Sequence, residues 1–355
     1  MTPPSGKQEE TDIALLGGMC LFLSALDYLI PKPLPFMRAG LANLPLLLAL
    51  DLFSPRSFCL LALIKILGQT FISGTLFSYV FLFSLAGTAV SSAVMYLLRR
   101  KLGRWISLAG VGLAGAFTSN AAQLALARLF IFGEGTKYLV PPFLAVGILS
   151  GTILGIFAEV FTERSQWAQE RRKPSVPLRE SGVSQSQPPR KVFFSRTAAF
   201  QACGGIMAAV LFLLVSSLVL KGILFAVLWL LTVLVKKKPR MLPMLLFMAG
   251  VTACNLFPPY GKVLAALGPF TITLGSLQVG LRKAFTLEGL VLLSKLNVTG
   301  NLRFPGRIGR LLGQSLEILE KLKGQKNWLT GKTPVSGLIN RLDRLMCNIS
   351  SDRPL

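Results

Sequence analysis

Histidine is absent from this sequence. That removes the side chain most used for acid–base catalysis and metal binding near neutral pH. Acids are scarce as well: Asp and Glu total 15, against 38 Lys and Arg. No DDxxD-like cluster occurs among them, so the magnesium–diphosphate site of a prenyl transferase has no ligands here. The five cysteines (Cys20, Cys59, Cys203, Cys254 and Cys347) stand singly. Without a CxxC pair, neither a zinc site nor a thioredoxin-like motif is supported. No G-x-x-x-x-G-K-[ST] string occurs, and the GKT at 331–333 lacks its earlier glycine, so it is no ATP site. Charged residues make up 15% of the chain, where a soluble domain has about 25%. Too little charge is present to coat a water-facing surface. The expectation is an integral membrane protein that is not an enzyme and needs no metal or cofactor.

What is present is hydrophobic: 52% of the 355 residues are apolar. A span needs about 20 apolar residues in helix. Six segments of the first half approach this: Asp12–Ile30, Leu41–Phe53, Ser57–Ser73, Phe77–Leu98, Ser107–Phe132 and Leu139–Thr162. The second is short, and is read as tilted or partly re-entrant. The first follows Lys7, Glu9, Glu10 and Asp12 and leads into Asp27 and a Pro-rich loop. It reads as a retained helix, since a signal peptide has a basic start and a small-residue cleavage site.

Basic residues alternate between the links. Arg99, Arg100, Lys101 and Arg104 fill the fourth, while the fifth has Lys137 alone. A run from Arg164 to Arg196 follows the sixth segment. The positive-inside rule then places the N-terminus and this run in the cytoplasm of a multi-pass cell (inner) membrane protein. The same rule explains the net charge of +23 without nucleic acid.

The chain divides into an all-α bundle at 1–163, a flexible polar linker at 164–196, a second transmembrane helical unit at 197–297 and a basic amphipathic cytoplasmic tail at 298–355. Expected spans in the second unit are Thr197–Leu220, Gly222–Val235, Met241–Phe257 and Val263–Leu281. Pro258 and Pro259 fit an outer turn, and Arg282 and Lys283 a return to the inside. Phe285–Leu296 is too short to span and suits an interfacial helix. In the tail, Ile308, Leu311, Leu312, Leu316 and Leu319 recur at helical spacing. That face suits the membrane surface or a partner helix.

Polar residues inside the apolar segments are the site candidates, because an intramembrane charge is costly and marks function by default. Lys65 lies mid-segment, with Gln69 one turn later. Asn120 and Gln123 share a face, and Arg128 lies two turns beyond Asn120. Asn43 opens the second segment, just after Arg38. Arg38, Asn43, Lys65, Gln69, Asn120, Gln123 and Arg128 would line a cavity open to the exterior, suited to an anionic or amide-bearing solute. The alternative is a purely structural pairing of Lys65 with Asp27 or Asp51. Asp27, Asp51 and Glu159 are also the acids available for a relay. Ala14 and Gly18, like Gly147, Gly151 and Gly155, recur every fourth residue and allow close helix approach.

The strings ALLGGMCLFLSALDYLIPKPLP, RAGLANLPLLLAL, ILGQTFISGTLFS, LAGTAVSSAVMYLL and GAFTSNAAQLALARL occur in that order. From Ile13 to Glu163 they resemble the bacterial Gx transporter family, also called heptaprenyl diphosphate synthase component I. That family is similar to the six-helix substrate-binding (S) components of energy-coupling-factor (ECF) vitamin transporters. The resemblance implies capture of a small molecule from outside, with a transmembrane T component and cytoplasmic ATPase subunits as partners. It implies that Ala14 and Gly18 meet the T component and that Pro31–Gly40 is a gate. The second half loosely resembles a T component, without the Ala-Arg-Gly triplets of coupling helices. Two other roles stay open: a non-catalytic membrane subunit of isoprenoid synthesis, and a scaffold whose tail recruits a partner.

Overall fold

The computed structural model describes residues 6–29, 40–172, 196–235, 241–256, 261–267, 270–297, 306–324 and 335–350. The first unit holds α1 (Gly6–Leu29), α2 (Leu44–Ala49), α3 (Pro55–Ser73), α4 (Tyr79–Leu102), α5 (Leu108–Ala127) and α6 (Thr136–Arg164), followed by α7 (Gln166–Arg172). Then come α8 (Arg196–Leu214), α9 (Leu218–Leu234), α10 (Met241–Asn255), the strands β1 (Val263–Leu267) and β2 (Phe270–Thr273), and α11 (Leu274–Asn297). The tail forms α12 (Gly306–Gly324) and α13 (Val335–Ser350). Among the described residues the fold is all-α apart from the antiparallel β1–β2 pair.

Local chemistry sets the helix ends. Ser54 caps α3, its side chain accepting from Ser57 N, and Pro55 occupies the first turn, where a missing N–H costs nothing. Gly74 ends α3 with φ +66°, a conformation that suits glycine. Ser107 caps α5 by accepting from Gly110 N. Arg99, Arg100 and Lys101 fill the last turn of α4, where the helix dipole favours cations.

Among the described residues, Pro55–Ser73, Tyr79–Leu102 and Leu108–Arg164 are long and apolar enough to cross a membrane, the last run containing both α5 and α6. Gly204–Leu214, Leu218–Leu234 and Met241–Asn255 are shorter apolar helices. Exposed leucines and isoleucines on α6, α8 and α9, such as Leu149, Leu214 and Ile223, suit a lipid-facing surface.

Three expectations need correction. The expected second span is a 3-10 turn (Leu41–Asn43) followed by a helix of only 6 residues, fully buried among its neighbours. Val263–Leu281 does not span: it forms the hairpin and only the start of α11. Pro269 disfavours a continuous helix, and Thr271, Ile272 and Thr273 favour strand. Phe285–Leu296 is no separate interfacial segment but the second half of the continuous α11, buried from Leu287 to Ser294. The linker expected from residue 164 also begins with an ordered helix. Trp167 of α7 is buried, and Arg171 pairs with Asp12 of α1 at 2.9 Å.

The tail meets a helix rather than a membrane. Leu311, Leu312, Leu319 and Leu322 of α12 are buried, and Ser315 Oγ donates to Ala14 O of α1 at 3.1 Å. Arg307 and Arg310 both pair with Glu10, each at 2.9 Å. The two helices therefore run parallel, Glu10 beside Arg310 and Gly18 beside Ile318.

Asp343 of α13 caps α7, accepting from Ser165 Oγ and from the Gln166 and Trp167 N–H groups. Asp343→Ala should cost about 1–2 kcal/mol of local stability. Limited trypsin digestion after Arg344 should then be faster. Unchanged digestion would show that the cap does not hold α13.

Candidate functional site

The first unit surrounds a cavity of about 50 Å³, measured at the centres of water-sized spheres. That volume holds a few waters. Each helix contributes for a local reason. α3 presents Lys65 and Gln69, which are four apart and so share a face. α5 presents Ser119, Asn120 and Gln123, and α4 presents Ser84 and Thr88. The turn before α2 delivers Asn43, and α1 delivers Asp27. On the sixth side Gly147 and Gly151 of α6 pack directly against α5, where an added Cβ on Gly151 would lie 2.5 Å from Ala116 Cβ.

Lys65 is 5% exposed, and its Nζ donates to Asn43 Oδ1. A buried ammonium is stable only with acceptors and counter-charge around it. Asp27, 2% exposed, lines the same cavity. Asp51 does not: its two oxygens accept from Arg99 Nε and Nη2 at 2.7 and 2.8 Å. Of the two acids open to Lys65 from the sequence, the fold therefore leaves Asp27.

The amides differ in their commitments. Asn120 Nδ2 donates to Phe143 O at 2.8 Å, which ties α5 to α6. Gln123 Nε2 donates to Ser119 Oγ at 3.1 Å. Gln123 Oε1 is buried and has no hydrogen-bond partner among the described residues. Buried acceptors are normally satisfied, so an unpaired one on a cavity wall is a position for an incoming donor.

Asn43, Lys65, Gln69, Asn120 and Gln123 are thus brought together. Arg128 is not. Its guanidinium is exposed and pairs with Glu134 at 2.7 Å. α5 gives way at Arg128 to a π-helical turn ending at Phe132, and the acid six residues on is nearer than the cavity. Arg38, and the expected gate except Gly40, lie outside the described residues. Gly40 lines the cavity. Sequence reading missed Ser84, Thr88, Ser119 and Ser150 as lining residues. The spacing of Ser84 to Thr88 and Ser119 to Gln123, four apart on apolar helices, was the available signal. Ala14 and Gly18 lie away from the cavity, under α12: a Cβ on Gly18 would meet Ile318 Cγ2 at 2.6 Å.

Residues 16–161 match the family described as heptaprenyl diphosphate synthase component I. The match runs from within α1 to within α6. Every lining residue of the cavity, from Asp27 to Leu154, falls within it. Residues 197–299, which hold α8 to α11, match a domain of unknown function (DUF8519). No curated protein and no solved structure matches the chain. Among the described residues, no group of three or more Cys, Asp or Glu side chains could hold a metal ion in or beside the component I domain.

Proposed function

We propose that the component I domain is the solute-binding part of a membrane transporter subunit. The solute is small and polar, carrying an anionic group for Lys65 and a donor for Gln123. The observation that supports this most is the unpaired, buried Gln123 Oε1 facing a cavity whose other walls carry Lys65, Asn43 and Gln69. A donor on the solute would satisfy that acceptor in place of a cavity water. At its present size the cavity is closed down, so binding includes an outward movement of the helices or turns around it.

The N-terminus and tail lie on the cytoplasmic side in this reading, because the α4–α5 link is the basic one. Gln69 and Gln123 then lie toward the exterior, and the protein works in uptake. Energy comes from separate subunits, such as a T component with ATPases, or from an ion gradient. The chain itself has no ATP motif.

A second reading has one observation in its favour. The family match supports a non-catalytic subunit that holds a prenyl diphosphate synthase at the membrane. Affinity purification separates the two readings: co-purifying ATPases support the first, a prenyl synthase the second.

Native mass spectrometry of the protein released from detergent should show a retained small molecule. Lys65→Ala should lower that occupancy about tenfold or more, the usual loss for a hydrogen bond to a charged group. Equal occupancy in the wild type and Lys65→Ala would refute a site at Lys65.

A further inference from the structure

Two turns close one end of the first unit: residues 74–78 between α3 and α4, and residues 128–135 between α5 and α6. α11 is tied to both. Ser294 Oγ donates to Gly74 O at 2.8 Å and accepts from Phe77 N at 2.9 Å. Three turns earlier on the same helix, Lys283 Nζ donates to Ile131 O at 3.2 Å. Asn255, the last residue of α10, donates to that same carbonyl at 3.0 Å and accepts from Lys283 at 2.8 Å. Lys283 therefore lies at the end that the charge pattern placed outside, and does not return to the cytoplasmic side.

Between these ties the contact is apolar. Ala284, Leu287 and Val291 of α11 share one buried cluster with Val80 and Phe83 of α4 and Leu124 of α5. Tyr79 stacks on Phe247 of α10, ring centroids 5.8 Å apart. Val80 and Phe83 are also walls of the cavity. One layer of side chains thus separates α11 from the space beside Gln69 and Gln123.

We infer that α11 is a strap closing the cavity at this end, and that solute enters only while the strap is lifted from at least one of the two turns. This rests on the solute-binding reading above. The strap lies across the mouth, so α3–α4 and α5–α6 cannot part while both turns are tied to one rigid helix. The gate is then supplied by the second unit of the same chain.

The test uses the full chain without native cysteines, carrying Gln69→Cys, in lipid nanodiscs. A charged methanethiosulfonate is the probe. Cys at position 69 should react slowly. Adding Ser294→Ala and Asn255→Ala should speed its reaction about tenfold, as expected when local opening becomes easier. Ser294→Thr keeps the hydroxyl and should react at the parent rate. A second reporter, Ala158→Cys, lies in a core remote from α11 and is 0% exposed. It should stay unreactive in the loosened protein. Equal rates at position 69 with and without loosening would overturn the strap, provided that unfolding in detergent exposes the thiol. Reaction at position 158 as well would also overturn it, because the protein would then be loosened everywhere. If loosening speeds the reaction but no small molecule is retained in native mass spectrometry, the strap stands and the solute reading fails.

Discussion

Gly155→Leu is expected to prevent assembly of the first unit. A Cβ at Gly155 would lie 2.5 Å from Ala109 Cα and 2.8 Å from Leu108 O. Both are backbone atoms of the facing helix region, so neither can rotate aside. The seam repeats one turn away, where a Cβ on Gly151 would meet Gly112 O at 2.8 Å. α5 and α6 touch at backbone distance along this line, which gives strong packing in lipid, where apolar burial no longer drives association. Overpacking a tight core commonly costs about 1–3 kcal/mol, and a whole leucine against backbone should exceed that range. Total stability is only about 5–15 kcal/mol. Size-exclusion chromatography of the detergent-solubilised protein should lose its monodisperse peak. Gly250→Ala, with nothing within 4 Å of the added carbon, is the control and should keep it. A sharp peak with unchanged melting temperature for Gly155→Leu would show that the seam is looser than described.

The second large effect concerns α1 and the tail. Gly18→Leu should strip α12 from α1 while leaving α3 to α6 in place. The added carbon at Gly18 would lie 2.6 Å from Ile318 Cγ2 and 3.1 Å from Ser315 O. One turn of α12 is therefore blocked by side chain and backbone together. The leucines of α12 lose their partner, each worth about 1.5–3 kcal/mol of burial at most. Trypsin should then cut after Arg310, Lys321 and Lys323 at least about tenfold faster, because cleavage follows local opening. Gly313→Ala, with open space around it, should leave digestion unchanged. An equally slow digestion of Gly18→Leu would mean that α12 is held by its ion pairs to Glu10 alone. The same face is where the resemblance to S components places a T-component contact. In this chain α12 already occupies it, so a separate helix can dock there only after α12 leaves.

The helices of the first unit were legible because their signals are local. Ser54 with Pro55, Ser107 and Gly74 mark ends, and the runs between them are apolar. Lys65, Gln69, Asn120 and Gln123 were legible as a set because each is polar in a stretch that is otherwise not. The failures at the candidate site are tertiary. Asp51 and Asp27 are equivalent acids in the sequence, yet Arg99, 48 residues away, captures Asp51 with two hydrogen bonds. Arg128 follows Asn120 along α5, but the π-turn beginning at Arg128 and the nearby Glu134 turn it outward. The length of α11 was hidden because Arg282 and Lys283 interrupt its hydropathy. Those charges signalled a membrane boundary, whereas in the fold Lys283 finds a carbonyl of the α5–α6 turn and the side-chain amide of Asn255 at the end of α10. The α1–α12 pairing joins residues about 300 positions apart, such as Glu10 with Arg310. No periodicity in either helix predicts that partner.

The parallel pairing of α12 with α1 has an effect on the surroundings of the molecule. Along the flank where α12 covers Ala14 to Phe22, the outermost groups are Gln314, Glu317, Glu320, Lys321 and Lys323, all exposed. Acyl chains cannot solvate carboxylates and ammonium groups at hydrocarbon depth. That flank therefore suits water or another polypeptide better than acyl chains.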